Sequence, residues 1–257
     1  MNKVAASIAG IAMLILVGCA TPYASTSRSS AASARATQPV TLVFVAEDRR
    51  SRAPEIRAQY EKDLGQVVHT AVQRESLLIG DLIEPNTIRA DRVAFQVDFT
   101  PPANLAGNTL YRRAWERKRA QEATAKAHDA LYSQEFAYDA QSILGALVVG
   151  SRIFHAHQQA ASKALVLFSP MIDTQAASLL DDDFRSSRVE ATVARLKTQG
   201  YVPDLANVQV AVAGAGLSPT GEEPQTEALG WQAFWQAIFD ATGARLVNYA
   251  GNLQAVP

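Results

Sequence analysis

Three short stretches of the chain hold side chains whose types and spacing could do chemistry. Glu47-Asp48-Arg49-Arg50-Ser51 follows directly on the apolar run Leu42-Val43-Phe44-Val45-Ala46, and Ser169 to Asp173 follows Ala164-Leu165-Val166-Leu167-Phe168. Asp139 stands just before another apolar run, Ile143 to Val149. Ligands of open α/β sheets bind beyond the carboxyl ends of strands, so Glu47–Ser51, Ser169–Asp173 and Gly214–Ser218 are the places to look, with the turn before residue 140 beside them. Charges there can form a ligand or metal site at the end of a buried strand, or merely a solvated turn. A carboxylate among them, Asp48, Asp139 or Asp173, can also act as a general acid or base if burial raises its pKa.

Other motifs carry less. His155 and His157 lie two residues apart, which on a helix separates them by about 200° and prevents a shared metal. Adding His69 and His128 produces no zinc spacing. Gly214-Ala215-Gly216 follows a strand, but Pro219 occupies the place of the third glycine of a dinucleotide fingerprint, so a tight turn allowing close backbone packing is the better account. No Gly-x-Ser-x-Gly elbow and no phosphate-binding glycine loop occurs. Asp181-Asp182-Asp183 lacks the alternating spacing of a calcium loop and reads as an acidic turn ahead of a helix.

At 257 residues, with 48% hydrophobic and 19% charged side chains, the chain belongs to the globular class and is long enough to bury a sizeable core. A formal net charge of −1 gives no basis for nucleic acid as a partner. Residues 1–18 have the form of a secretory signal: Lys3, then an apolar stretch from Val4 to Val17 too short to span a bilayer comfortably. The stretch ends in Leu16-Val17-Gly18-Cys19, which resembles the lipobox of bacterial lipoproteins. The resemblance implies cleavage before Cys19 and acylation of that residue, an anchor of more than one chain. Cys19 is the single cysteine, so no internal disulfide can form. Ala20 in place of aspartate leans toward the periplasmic face of an outer membrane in a Gram-negative cell. Residues 19–38 are rich in Ser, Ala and Thr without hydrophobic period and read as a tether.

The elements that must position the candidate residues begin at Pro39. Strands are expected at Val40–Ala46, Arg92–Phe99 (alternating, hence a half-exposed edge), Ala164–Phe168, Val208–Val212 and Arg245–Tyr249. Helices are expected from Glu55 to about Leu78, Asn108 to about Ser133, Ala140 to about Ala161 with Asp139 as its cap, Arg185 to Gln199 and Glu227 to Thr242. The helix from Asn108 interleaves acids and bases three or four residues apart, which favours a solvated face laced with ion pairs over the alternative of a basic membrane-surface helix. Trp231, Phe234, Trp235, Ile238 and Phe239 recur at helical spacing and predict a core face. Such alternation implies one α/β domain over residues 39–257: a three-layer sandwich, its central sheet mostly parallel with helices on both faces, of Rossmann-like type.

This order of elements, together with "TLVFVAEDRRSR" and "ALVLFSPMIDT", resembles a von Willebrand factor A-like domain. In that family the first strand ends in Asp-x-Ser-x-Ser, and later loops add a threonine and an aspartate around a divalent cation. The resemblance places Glu47 on the aspartate, Arg49 on the first serine and Ser51 on the second, while Pro170 stands where a carboxylate would follow Ser169. A permanently charged guanidinium repels a cation unless it turns away, so the resemblance implies a degenerate site with no metal and no cofactor. The residues then form a candidate binding surface: Glu47, Asp48, Arg49, Ser51, Asp139, Ser169 and Asp173. The resulting expectation is a lipid-anchored envelope lipoprotein acting as a scaffold without catalysis, with the membrane and an unidentified envelope protein as partners. Two alternatives stand beside it. One is a metal-dependent binder using Glu47, Ser51, Ser169 and Asp173; the other is an envelope hydrolase using carboxylates at the strand ends.

Overall fold

All seven residues of strand β1, Val40–Ala46, are buried. Val40, Leu42, Phe44 and Ala46 face one side of the sheet, Val43 and Val45 the other. An unbroken apolar run is what a central strand covered on both faces requires. β1 pairs in parallel with β2 (Leu77–Ile83) and with β4 (Lys163–Phe168). β4 pairs in parallel with β5 (Val208–Ala213), and β5 with β6 (Arg245–Ala250). Only β3 (Phe95–Asp98) runs antiparallel, against β2, and the six strands lie in the order β3-β2-β1-β4-β5-β6. The structure, a computed structural model, describes residues 37–46, 51, 53–89, 93–105, 107–132, 141–180, 184–217 and 225–257.

Helices α1 (Pro54–Gln73) and α2 (Thr109–Tyr132) cover the face that carries Val43, Val45, Val166 and Phe168. The opposite face is covered by α3 (Ile143–Ala156), α4 (Thr174–Leu180), α5 (Ser186–Thr198) and α6 (Gln225–Thr242). The expected three-layer α/β sandwich is therefore the architecture. Trp231, Phe234, Trp235, Ile238 and Phe239 form the buried face of α6, with successive rings 5.1–6.1 Å apart, as their helical spacing requires. The chain beyond β6 crosses to the α1 side, where the buried Asp63 carboxylate accepts the Leu253 N–H at 2.9 Å. No helix among the described residues is long and apolar enough to cross a membrane.

Some expected elements need correction. The helix begun at Pro54 stops at Gln73, and Leu77–Ile83 is a strand that was not expected at all. Its run Leu-Leu-Ile-Gly-Asp-Leu-Ile is buried at every position, so it has no period-2 signature and merges with the preceding helical pattern. No glycine marks the boundary either, because Glu75 itself takes the left-handed turn conformation at φ 54°. The third helix begins at Ile143, capped by Ser142 Oγ accepting the Gly145 N–H at 3.1 Å; the expected start at Ala140 with an Asp139 cap is not the observed one. The seven-residue α4 was also unexpected.

β3 is the half-exposed edge its alternation predicts, with Phe95 and Val97 buried and Gln96 exposed. Its outward carbonyls do not remain open. Arg119 of α2 donates to Asp98 O through Nε and Nη2, each at 3.3 Å, and Lys126 donates to Gln96 O at 3.2 Å. Cations laid along a free strand edge block pairing with another chain.

Candidate functional site

The chain order reverses between β1 and β4, so the crevice beyond their carboxyl ends is where a sheet of this kind binds ligands. Of the residues expected there, Glu47, Asp48, Arg49 and Asp139 lie outside the described residues, as do Leu16, Val17, Gly18 and Cys19 of the expected lipobox. Ser51, Ser169 and Asp173 are described, and they are 3%, 0% and 0% exposed. They lie beneath the strand ends rather than on a binding surface, which corrects the expectation for these three.

Asp173 shows why. Its Oδ1 accepts the N–H groups of Gln175 and Ala176, both at 2.9 Å, and its Oδ2 accepts the Leu144 N–H at 3.0 Å. One carboxylate thus satisfies amides at the starts of two helices, α4 and α3. Those amides have no intrahelical partner and would be costly to bury alone. Burial pushes the Asp173 carboxyl up in pKa, while the amide donors pull it down.

Ser169 continues the same arrangement. Its Oγ donates to Gln141 Oε1 at 3.2 Å and accepts the Met171 N–H at 2.9 Å. Thr174 Oγ1 donates to Gln141 O at 3.1 Å, tying the segment before α3 to the turn after β4. Met171 holds φ 65°, an uncommon conformation for a residue with a side chain. Its carbonyl accepts the Trp235 Nε1–H at 2.6 Å. The Ser169–Asp173 turn is therefore clasped from three sides by α3, α4 and α6.

The donors of this turn are already in use: both Asp173 oxygens accept backbone amides and Ser169 Oγ is engaged on two sides, so a hard divalent cation would compete with these bonds. Among the described residues no group of three or more His, Cys, Asp and Glu side chains is arranged to hold a metal ion. His69, His128 and His155 are exposed and His157 half-buried, each on a different part of the surface or, for the last two, at the end of α3.

Gly214, at the end of β5, has φ 102° and passes so close to Tyr60 that a Cβ there would lie 2.1 Å from the Tyr60 hydroxyl oxygen. The close-packing account of the Gly214-Ala215-Gly216 turn holds.

One carboxylate at the sheet was not expected. Asp81, in β2, is 7% exposed; its Oδ1 accepts the Leu82 N–H at 2.9 Å, and its Oδ2 has no hydrogen-bond partner. It stands just past the Gly80–Phe95 pair at which the β2–β3 ladder stops. Burial is the main cause that raises its pKa from 3.8 to about 6, with Glu84 adding repulsion and the Leu82 and Ala94 amides opposing. A lone acid inside a seven-residue apolar run was the available signal. The folded protein holds this proton more tightly than the unfolded chain does. The stabilisation is therefore complete below pH 3.8 and is lost as pH rises through about 6. Asp81→Asn, which keeps the Leu82 bond, is expected to be about 2 kcal/mol more stable than the parent at pH 7, a value discounted for the position near the ladder's end. Urea melts at pH 4.5 and 7.5 check this; an equal gain at both pH values would contradict it.

No protein-family model matches the chain, and no curated protein matches it. Among solved structures, the crystal structure of manganese-loaded Plasmodium vivax TRAP protein aligns with 76% of this chain at 13% identity and a TM-score of 0.34. The alignment spans 63% of that chain. A likeness at this level carries nothing about activity, and the fold described above stands on its own strand order and directions.

Proposed function

We propose that this chain is a lipid-anchored cell-envelope protein whose A-domain-like α/β module serves as a metal-independent interaction scaffold, without catalysis. The observation that carries this reading is the Asp173 carboxylate. At the position where the fold most readily binds a ligand, the buried acid holds helices α3 and α4 through three backbone amides. A buried carboxylate committed to three backbone amides presents no open face to a substrate, and a cation would have to compete with those amides for it. Leu16-Val17-Gly18-Cys19 supports the anchor, and the Ser/Ala-rich residues that follow support a tether from the membrane to the module.

The test is a capture experiment from detergent-solubilised envelopes with the full chain as bait, run with and without a chelator. The same partner proteins are expected under both conditions, and the melting temperature of the bait is expected not to move with millimolar magnesium or manganese. Partners lost with chelator, or a rise in melting temperature with either metal, would overturn the metal-independent reading.

A further inference from the structure

The end of the domain opposite the Asp173 clasp has its own chemistry. Val40, Leu77 and Asp98 pair in one row at the amino ends of the parallel strands, and the chain enters the fold beside that row. Gln38 Nε2 donates to Asp98 Oδ1, Thr100 Oγ1 and the Glu75 carbonyl, each at 2.8 Å. The first half of α2 lies at this same end. Trp115, Lys118 and Arg119 line a groove of about 460 Å³ with Asp98 and Thr100, and Arg112 pairs with Glu75.

This half-helix is apolar and cationic where it faces outward. Leu110 is 78% exposed and Tyr111 is 68% exposed, the two most exposed large hydrophobic side chains among the described residues. Arg113 and Arg117, one and two helical turns beyond Leu110, are exposed and form no ion pair among the described residues. The nearby acids are engaged: Glu75 and Glu116 hold Arg112, and Glu122 meets Lys118 and Arg119. Apolar and aromatic side chains flanked by unpaired arginines suit the headgroup region of an anionic bilayer, where each cation contributes on the order of 1 kcal/mol.

We propose that the first half of α2, through Leu110, Tyr111, Arg113, Trp115, Arg117 and Lys118, docks on the anionic phospholipid surface to which the chain is tethered. The proposal rests on the lipid-anchor reading. On the tether reading, a chain of the length from Cys19 to Gln38 would have a root-mean-square span of about 25 Å. It leaves the fold at the same end as this helix, so weak surface contacts act at high effective concentration.

The test uses the full chain, reconstituted into vesicles containing phosphatidylglycerol with or without brominated acyl chains, which quench tryptophan at the bilayer. Of the three tryptophans, Trp231 and Trp235 are buried in the core, and Trp115→Phe supplies the background. Quenching of Trp115 is expected, and it should fall at least about twofold in Arg113→Glu/Arg117→Glu, in Leu110→Ser/Tyr111→Ser, and in phosphatidylcholine vesicles. These are exposed positions, and an unchanged melting temperature verifies that the variants fold. Mass spectrometry of Cys19 separates the two claims. Lipid on Cys19 without Trp115 quenching, or with quenching indifferent to the substitutions, overturns the docking alone. No lipid on Cys19 overturns the anchor and the docking together.

Discussion

Asp173→Ala is expected to cost about 3–5 kcal/mol of unfolding free energy, the range for removing one side of a buried, charge-assisted network. The alanine leaves the amides of Leu144, Gln175 and Ala176 buried without their acceptor, and each such group costs about 1–3 kcal/mol. Asp173→Asn is expected to lose about half as much. Its oxygen can still accept from Gln175 and Ala176, but its NH2 group would face the Leu144 N–H, donor against donor. Denaturant melts with an unchanged slope measure both effects. If the alanine variant lost less than about 1 kcal/mol, the carboxylate would not be the clasp proposed here, and its availability to a ligand would have to be reconsidered.

Gly214→Ala is expected to destabilise by about 3 kcal/mol or more, from two causes that can be separated. One is the backbone, since φ 102° disfavours any side chain. The other is collision: the added carbon would lie 2.1 Å from the Tyr60 hydroxyl oxygen and 2.7 Å from its Cε1. Tyr60 cannot retreat easily, because it is fully buried and packs on Phe168 with ring centroids 5.5 Å apart. The glycine cannot move easily either. Its N–H and that of Ala215 both bond to Ala250 O, at 2.9 and 3.1 Å, fixing the end of β5 to the end of β6. Gly200→Ala is the control, with φ 82° and nothing within 4 Å of the added carbon. It should cost only about 1–2 kcal/mol, so equal losses at the two glycines would dismiss the collision.

Much of the fold was legible because periodicity and composition act locally. Val40–Ala46 and Ala164–Phe168 declared themselves by continuous apolar character, and the α6 aromatics by their spacing. β2 was not legible, since burial on both faces erased its alternation and Glu75 took a turn conformation that usually advertises itself through glycine. The site was legible in position and misread in character. Ser169 and Asp173 do come to the reversal point of the sheet, yet no pattern in the chain shows that their oxygens are already bonded to amides of α3 and α4. Leu144 and Asp173 are 29 residues apart, and only packing brings them within a hydrogen bond.

The amino-acid sequence by itself determined the layered α/β class, the single cysteine that follows a short apolar run, and the charged, arginine-bearing residues that follow Ala46. These follow from residue type and short-range spacing, which a linear string records in full. Tertiary structure decided what the strand-end residues do. The fate of a carboxylate depends on which donors surround it, and for Asp173 those donors come from two helices that the chain reaches by separate routes. It also decided that Asp81 is a buried acid and that Leu110, Tyr111, Arg113 and Arg117 gather where the chain enters the fold. Burial and proximity are properties of the packed molecule, set by long-range contacts that no local window contains.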